Sequence, residues 1–126
     1  MALILIAEDD FAIAAVLEEF LKKKGHHVVV AHDGATAAQK AQETRPDLII
    51  SDVHMPGLYG PTAFRSLPDA MTGKIPVIFI TGLPEEQARK VTILPPAAMG
   101  RLLKKPLDLD VLASTIAELL GGRSAS

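Results

Sequence analysis

The chain has no cysteine and no tryptophan, and only one tyrosine and four phenylalanines among its 126 residues. The missing cysteine excludes a disulfide framework, a zinc–cysteine centre and a thiol nucleophile. Charge of one sign is also missing: thirteen basic and fifteen acidic residues leave a net −2, without the basic footprint of a nucleic-acid binder. No apolar run is long enough for a membrane span, and the N-terminal Met1 to Ile6 stretch lacks the basic flank of a signal peptide. The expected setting is cytoplasmic, with no membrane insertion and no direct nucleic-acid contact. No glycine-rich turn follows the first apolar run and no Walker-type loop occurs, which argues against dinucleotide and P-loop enzymes. What the chain does have is aliphatic bulk. Hydrophobic residues make up 48% of it, enough for one self-sufficient core at this length. The division expected is a single domain over residues 1–121 and a short tail over 122–126.

Short apolar runs alternate with amphipathic stretches. The runs are Leu3–Ala7, Val28–Ala31, Leu48–Ser51, Val77–Ile80 and Leu102–Leu103. The first four are aliphatic enough to be strands covered on both faces. Helical spacing links Ile13, Val16, Leu17, Phe20 and Leu21, with Gly25 as a stop. Ala35–Glu43 and Thr62–Leu67 read as shorter helices. Leu109, Leu112, Ile116, Leu119 and Leu120 form a last one that stops at Gly121-Gly122. Strand–helix alternation implies an α/β fold: a doubly wound, five-stranded parallel sheet of order 2-1-3-4-5. In such a sheet the ligand crevice lies at the carboxyl ends of the first and third strands.

Those ends carry chemistry. The first strand runs into Glu8, Asp9 and Asp10, the third into Asp52, the fourth into Thr81-Gly82 and the fifth into Lys104-Lys105-Pro106. Crowded carboxylates need a proton or a cation, and hard oxygens suit Mg²⁺. Taken singly, each residue has a plain alternative. The acids can be solvated loop residues, Asp52 or Thr81 can cap a turn or helix, and Lys105 can be a surface charge. Pro106 is placed to open the last helix. Taken together they are the parts of phosphoryl transfer to a carboxylate. Asp52 is then the nucleophile, Asp9 and Asp52 hold the metal with Glu8 acting through a water, and Thr81 and Lys105 bind phosphoryl oxygens. The histidines His26, His27 and His32 flank the second strand and read as turn or surface residues, and His54 as a solvent-facing loop residue.

The segments Ile4 to Asp10, Asp47 to Gly57, Val77 to Gly82 and Lys105-Pro106 resemble the response-regulator receiver domain of two-component signalling, along the whole chain. Forty-three positions separate Asp9 from Asp52, and twenty-nine separate Asp52 from Thr81, spacings that fit that family. The resemblance implies a flavodoxin-like fold and a phosphoacceptor domain that catalyses only its own phosphorylation and dephosphorylation. It implies Asp52 as acceptor and Mg²⁺ or Mn²⁺ held by Glu8, Asp9, Asp52 and the His54 backbone carbonyl. It implies a histidine kinase or histidine phosphotransfer protein as donor and a downstream protein target. A stand-alone receiver, monomeric or weakly dimeric, is the expected form. The alternative is a pseudo-receiver that acts without phosphorylation.

Three departures from the pattern stand out. Leu102 stands where the family commonly has an aromatic that reports phosphorylation. Leu94-Pro95-Pro96 precedes Ala98-Met99, so the helix after the fourth strand should end near Ile93. His54 and Leu83, the positions that influence hydrolysis in the family, are neither carboxylates nor amides. Leu83 cannot orient a water, which implies a persistent phosphorylated state.

Overall fold

The computed structural model describes residues 2–52, 75–82 and 100–124, the last three by backbone alone. The elements are β1 (Leu3–Ala7), α1 (Phe11–Lys23), β2 (His27–Ala31), α2 (Gly34–Thr44), β3 (Leu48–Asp52), β4 (Val77–Thr81), β5 (Gly100–Lys104) and α3 (Leu109–Ser124). All strand pairs are parallel, in the order β2-β1-β3-β4-β5. The positions of Thr62–Leu67 and Leu83–Met99 lie outside the described residues, and so do His54, Pro56 and Pro95.

Side-chain alternation divides the sheet into two faces. Leu5, Ile49 and Phe79 pack with Ala37 and Ala41 of α2. Ile4, Ile6, Ile50, Ile78 and Ile80 pack with Leu17 and Leu21 of α1 and Leu112, Ile116 and Leu119 of α3. The sheet is thus covered on both sides, and β3 and β4 are buried throughout. The second strand is the exception to the expectation of full burial. At the sheet edge it runs from exposed His27 through half-buried valines to buried Ala31. Leu102 is half-buried against the α2-side core. It fills apolar space there and offers no aromatic ring to report a change of state.

The helix ends follow from local chemistry. Asp10 caps α1 by accepting from the Ala12 and Ile13 amides at 2.9 and 3.1 Å. The same helix closes in a Schellman arrangement: His26 N–H donates to the Leu21 carbonyl and Gly25 N–H to the Lys22 carbonyl, with Gly25 at φ 91°. Asp33 caps α2 through the Thr36 amide at 2.7 Å.

Three expectations are corrected here. Val16 is 53% exposed, because the buried stripe of α1 runs through Ala14, Leu17 and Leu21 and the helical turn carries Val16 outward. There it borders an apolar cavity of about 350 Å³ shared with Ala12, Ile13, Ile80, Pro106 and Leu107. Pro106 does not open the last helix. Asp108 does, accepting from the Asp110 and Val111 amides at 2.9 and 3.3 Å. Gly121-Gly122 does not stop that helix, which continues to Ser124. Glycine weakens a helix but ends it only where a left-handed turn is taken. Asp108→Ala should lower stability by about 1 kcal/mol in urea titration, while Asp108→Asn should hold it, because asparagine caps as well as aspartate does.

Candidate functional site

Between β1 and β3 the connections diverge, α1 lying on one face and α2 on the other. The crevice opens at the carboxyl ends of these strands. The register sets Ala7 beside Ser51, so the residues that follow them, Glu8 and Asp52, face one crevice. The structure brings Glu8, Asp9 and Asp52 together, with one carboxylate oxygen from each within 4.8 Å of the others. Glu8 is 1% exposed and Asp52 6%, unusual burial for two like charges side by side.

Lys105 enters from the opposite edge of the sheet. Its backbone N–H donates to the Thr81 carbonyl at 2.7 Å, which fixes the end of β5 against β4. The Lys105–Pro106 peptide bond is cis. The ammonium then reaches across β4, with Nζ 3.0 Å from Glu8 Oε1 and 3.1 Å from Asp52 Oδ2. With Asp52 it forms a hydrogen bond. With Glu8 Oε1 it makes a charge contact without hydrogen-bond alignment, so that buried oxygen has no hydrogen-bond partner. The other Glu8 oxygen accepts from the Asp10 amide at 3.2 Å. Thr81 is fully buried at the end of β4.

The electrostatics follow from burial and crowding. Burial, with the Asp52 and Asp9 side chains beside it, pushes the Glu8 carboxyl up to about 8, against the pull of Lys105 and the Asp10 amide. For Lys105, burial disfavours the charge, but the Glu8 and Asp52 carboxylates outweigh it and the pKa is raised. Ionised, three carboxylates face one ammonium among the described residues. Surplus negative charge and hard oxygen donors among the described residues together fit a divalent cation. Glu8, Asp9 and Asp52 are the residues that would hold it.

Two contacts here were not legible as functional from sequence. Asp10 is the cap of α1, not a fourth member of the acid cluster. His32 Nδ1 lies 3.0 Å from the Glu8 carbonyl oxygen. The only available signal was topological, since a residue after β2 must lie near the end of β1.

The sequence matches the family described as response regulator receiver domain over residues 4–117. It is 37% identical over 123 residues to the protein PilH of Pseudomonas aeruginosa, covering 97% of this chain and 100% of that one. It spans about half the length, 52%, of mycobacterial transcriptional regulatory proteins that it also resembles. The receiver domain of a signal transduction histidine kinase from Syntrophus aciditrophicus superposes with a TM-score of 0.82 at 35% identity, covering 97% of this chain and 92% of that one. The receiver domain of the sensor histidine kinase PA1611 from Pseudomonas aeruginosa, with magnesium coordinated in its active-site cleft, gives 0.79 at 27% identity, covering 95% and 98%.

Proposed function

Because the chain belongs to the response regulator receiver domain family, we propose that it takes a phosphoryl group onto Asp52 from a phosphohistidine donor, with Mg²⁺ in the acid pocket, and passes the signal on by protein contact. The observation that carries this reading is the meeting of Asp52 with Glu8, Asp9 and Lys105 in one crevice.

In the transfer an Asp52 carboxylate oxygen attacks phosphorus as the donor's P–N bond breaks, and the imidazole leaves with the electron pair. Lys105 already holds Asp52 Oδ2 in place and is near enough to follow the charge onto a phosphoryl oxygen. Thr81, at the end of the adjoining strand, is assigned a second oxygen. Mg²⁺, when bound, supplies neutralising charge to the phosphoryl oxygens. The donor is read as a histidine kinase or histidine phosphotransfer protein, and turnover is confined to the domain's own phosphorylation and dephosphorylation.

Intact mass measured after incubation with an acyl-phosphate donor and Mg²⁺ tests this. One phosphoryl adduct is expected, and chelating the metal should remove it. No adduct from that donor or from a phosphorylated histidine protein would leave a phosphorylation-independent interaction module as the reading.

A further inference from the structure

His32 has no part in the transfer just described, yet two ends of the acid-bearing segment meet on its ring. It follows β2, whose register sets Ala31 beside Ala7. Glu8 N–H donates to the Ala31 carbonyl at 3.0 Å. The next residue completes the link, with His32 Nδ1 3.0 Å from the Glu8 carbonyl oxygen. A carbonyl only accepts, so Nδ1 carries a proton in this contact. The same ring lies against Phe11, with centroids 4.0 Å apart and planes at 32°. Phe11 is the first residue of α1 and is 69% exposed, so the imidazole supplies an ordering contact that solvent does not.

Between these contacts lie only Glu8, Asp9 and Asp10, all acidic. Repulsion between Asp52 and the Glu8 and Asp9 carboxylates that share its crevice favours swinging the segment away from β3. A brace from the neighbouring strand opposes that movement at both ends. We propose that His32 is a positioning residue for the divalent-cation pocket, gripping the Glu8 carbonyl and the Phe11 ring so that the carboxylates stand in place before the cation arrives. The proposal rests on the reading that this pocket takes Mg²⁺. A braced pocket loses less freedom on binding, so the brace acts on cation affinity and not on the chemical step.

Calorimetric titration with Mg²⁺ separates the two parts of the grip. His32→Asn keeps a side-chain N–H donor near the Nδ1 position and loses the ring. His32→Leu keeps bulk against Phe11 and loses the donor. We expect His32→Leu to weaken Mg²⁺ binding about tenfold and His32→Asn to recover it to within about threefold of native. At saturating Mg²⁺ all three should form the phosphoryl adduct at similar rates. Thermal unfolding in chelator records whether each variant is folded. Native-like Mg²⁺ affinity in His32→Leu, with only its melting temperature changed, overturns the proposal in favour of a purely structural role. Equal weakening in both variants overturns the hydrogen bond as the cause. Native protein that binds no Mg²⁺ overturns the underlying reading itself, and does so before any variant is compared.

Discussion

Asp52→Asn is expected to abolish the phosphoryl adduct while the metal-free protein melts at the native temperature or above it. The first effect follows from chemistry: an amide oxygen is not a carboxylate nucleophile. The second follows from crowding. Asp52 is 6% exposed and shares its crevice with Glu8 and Asp9, and its presence is one of the causes that push the Glu8 carboxyl up. Asparagine keeps the size and an acceptor oxygen for Lys105 but removes one of the charges. Lys105 keeps its contact with Glu8, and Glu8 ionises more readily beside a neutral neighbour. Intact mass with and without the donor reads the first effect, and thermal unfolding in chelator reads the second. An undiminished adduct on Asp52→Asn would move the acceptor to another residue. A clear fall in melting temperature would mean that the Asp52–Lys105 contact outweighs the repulsion.

Magnesium affinity is expected to rise about tenfold per pH unit between pH 5.5 and 7.5 and to level off above Glu8's raised value, as one displaced proton per cation requires. Its origin is the Glu8 carboxyl, which burial and its acidic neighbours push up from 4.5 to about 8. The stability of the metal-free fold runs the opposite way. An unfolded chain ionises Glu8 near its ordinary value, whereas the metal-free fold retains the proton. The stabilising contribution is therefore complete below about 4.5 and is lost as pH rises toward about 8. Added Mg²⁺ should accordingly raise the melting temperature more at pH 8 than at pH 6. Calorimetry in buffers of different ionisation heat counts the released proton, and Glu8→Gln should flatten both dependences. A native affinity that stays constant across this range would show that Glu8 is already ionised before the cation binds.

How much of this was legible in sequence depended on whether the signal was local. The runs Leu48–Ser51 and Val77–Ile80 were aliphatic enough to mark strands covered on both faces, and the strands that contain them are buried throughout. Only Leu102-Leu103 marked the fifth strand, because Arg101 and Lys104 flank it and Arg101 reaches out to Glu118 at 2.7 Å. Val28–Ala31 read from composition as buried on both faces, although the order 2-1-3-4-5 already set it at the sheet edge, where its valines are only half-buried. Val16 fitted the helical spacing, but spacing alone does not fix where the core-facing stripe is centred. The candidate site was legible because acid, hydroxyl and lysine each sit directly at a strand end, where the topology determines their meeting. His32 was not, because its importance comes from a backbone carbonyl 24 positions away.

Lys105 reaches Asp52 across 53 positions of chain, from the last strand of the sheet. During synthesis the carboxylates are therefore made long before the Lys105 ammonium that joins them. Until β5 has emerged and docked on β4, the crevice is an acid pocket without its cationic side. Under the proposed function, a chain that stops short of Lys105 would hold Asp52 without the lysine that grips it.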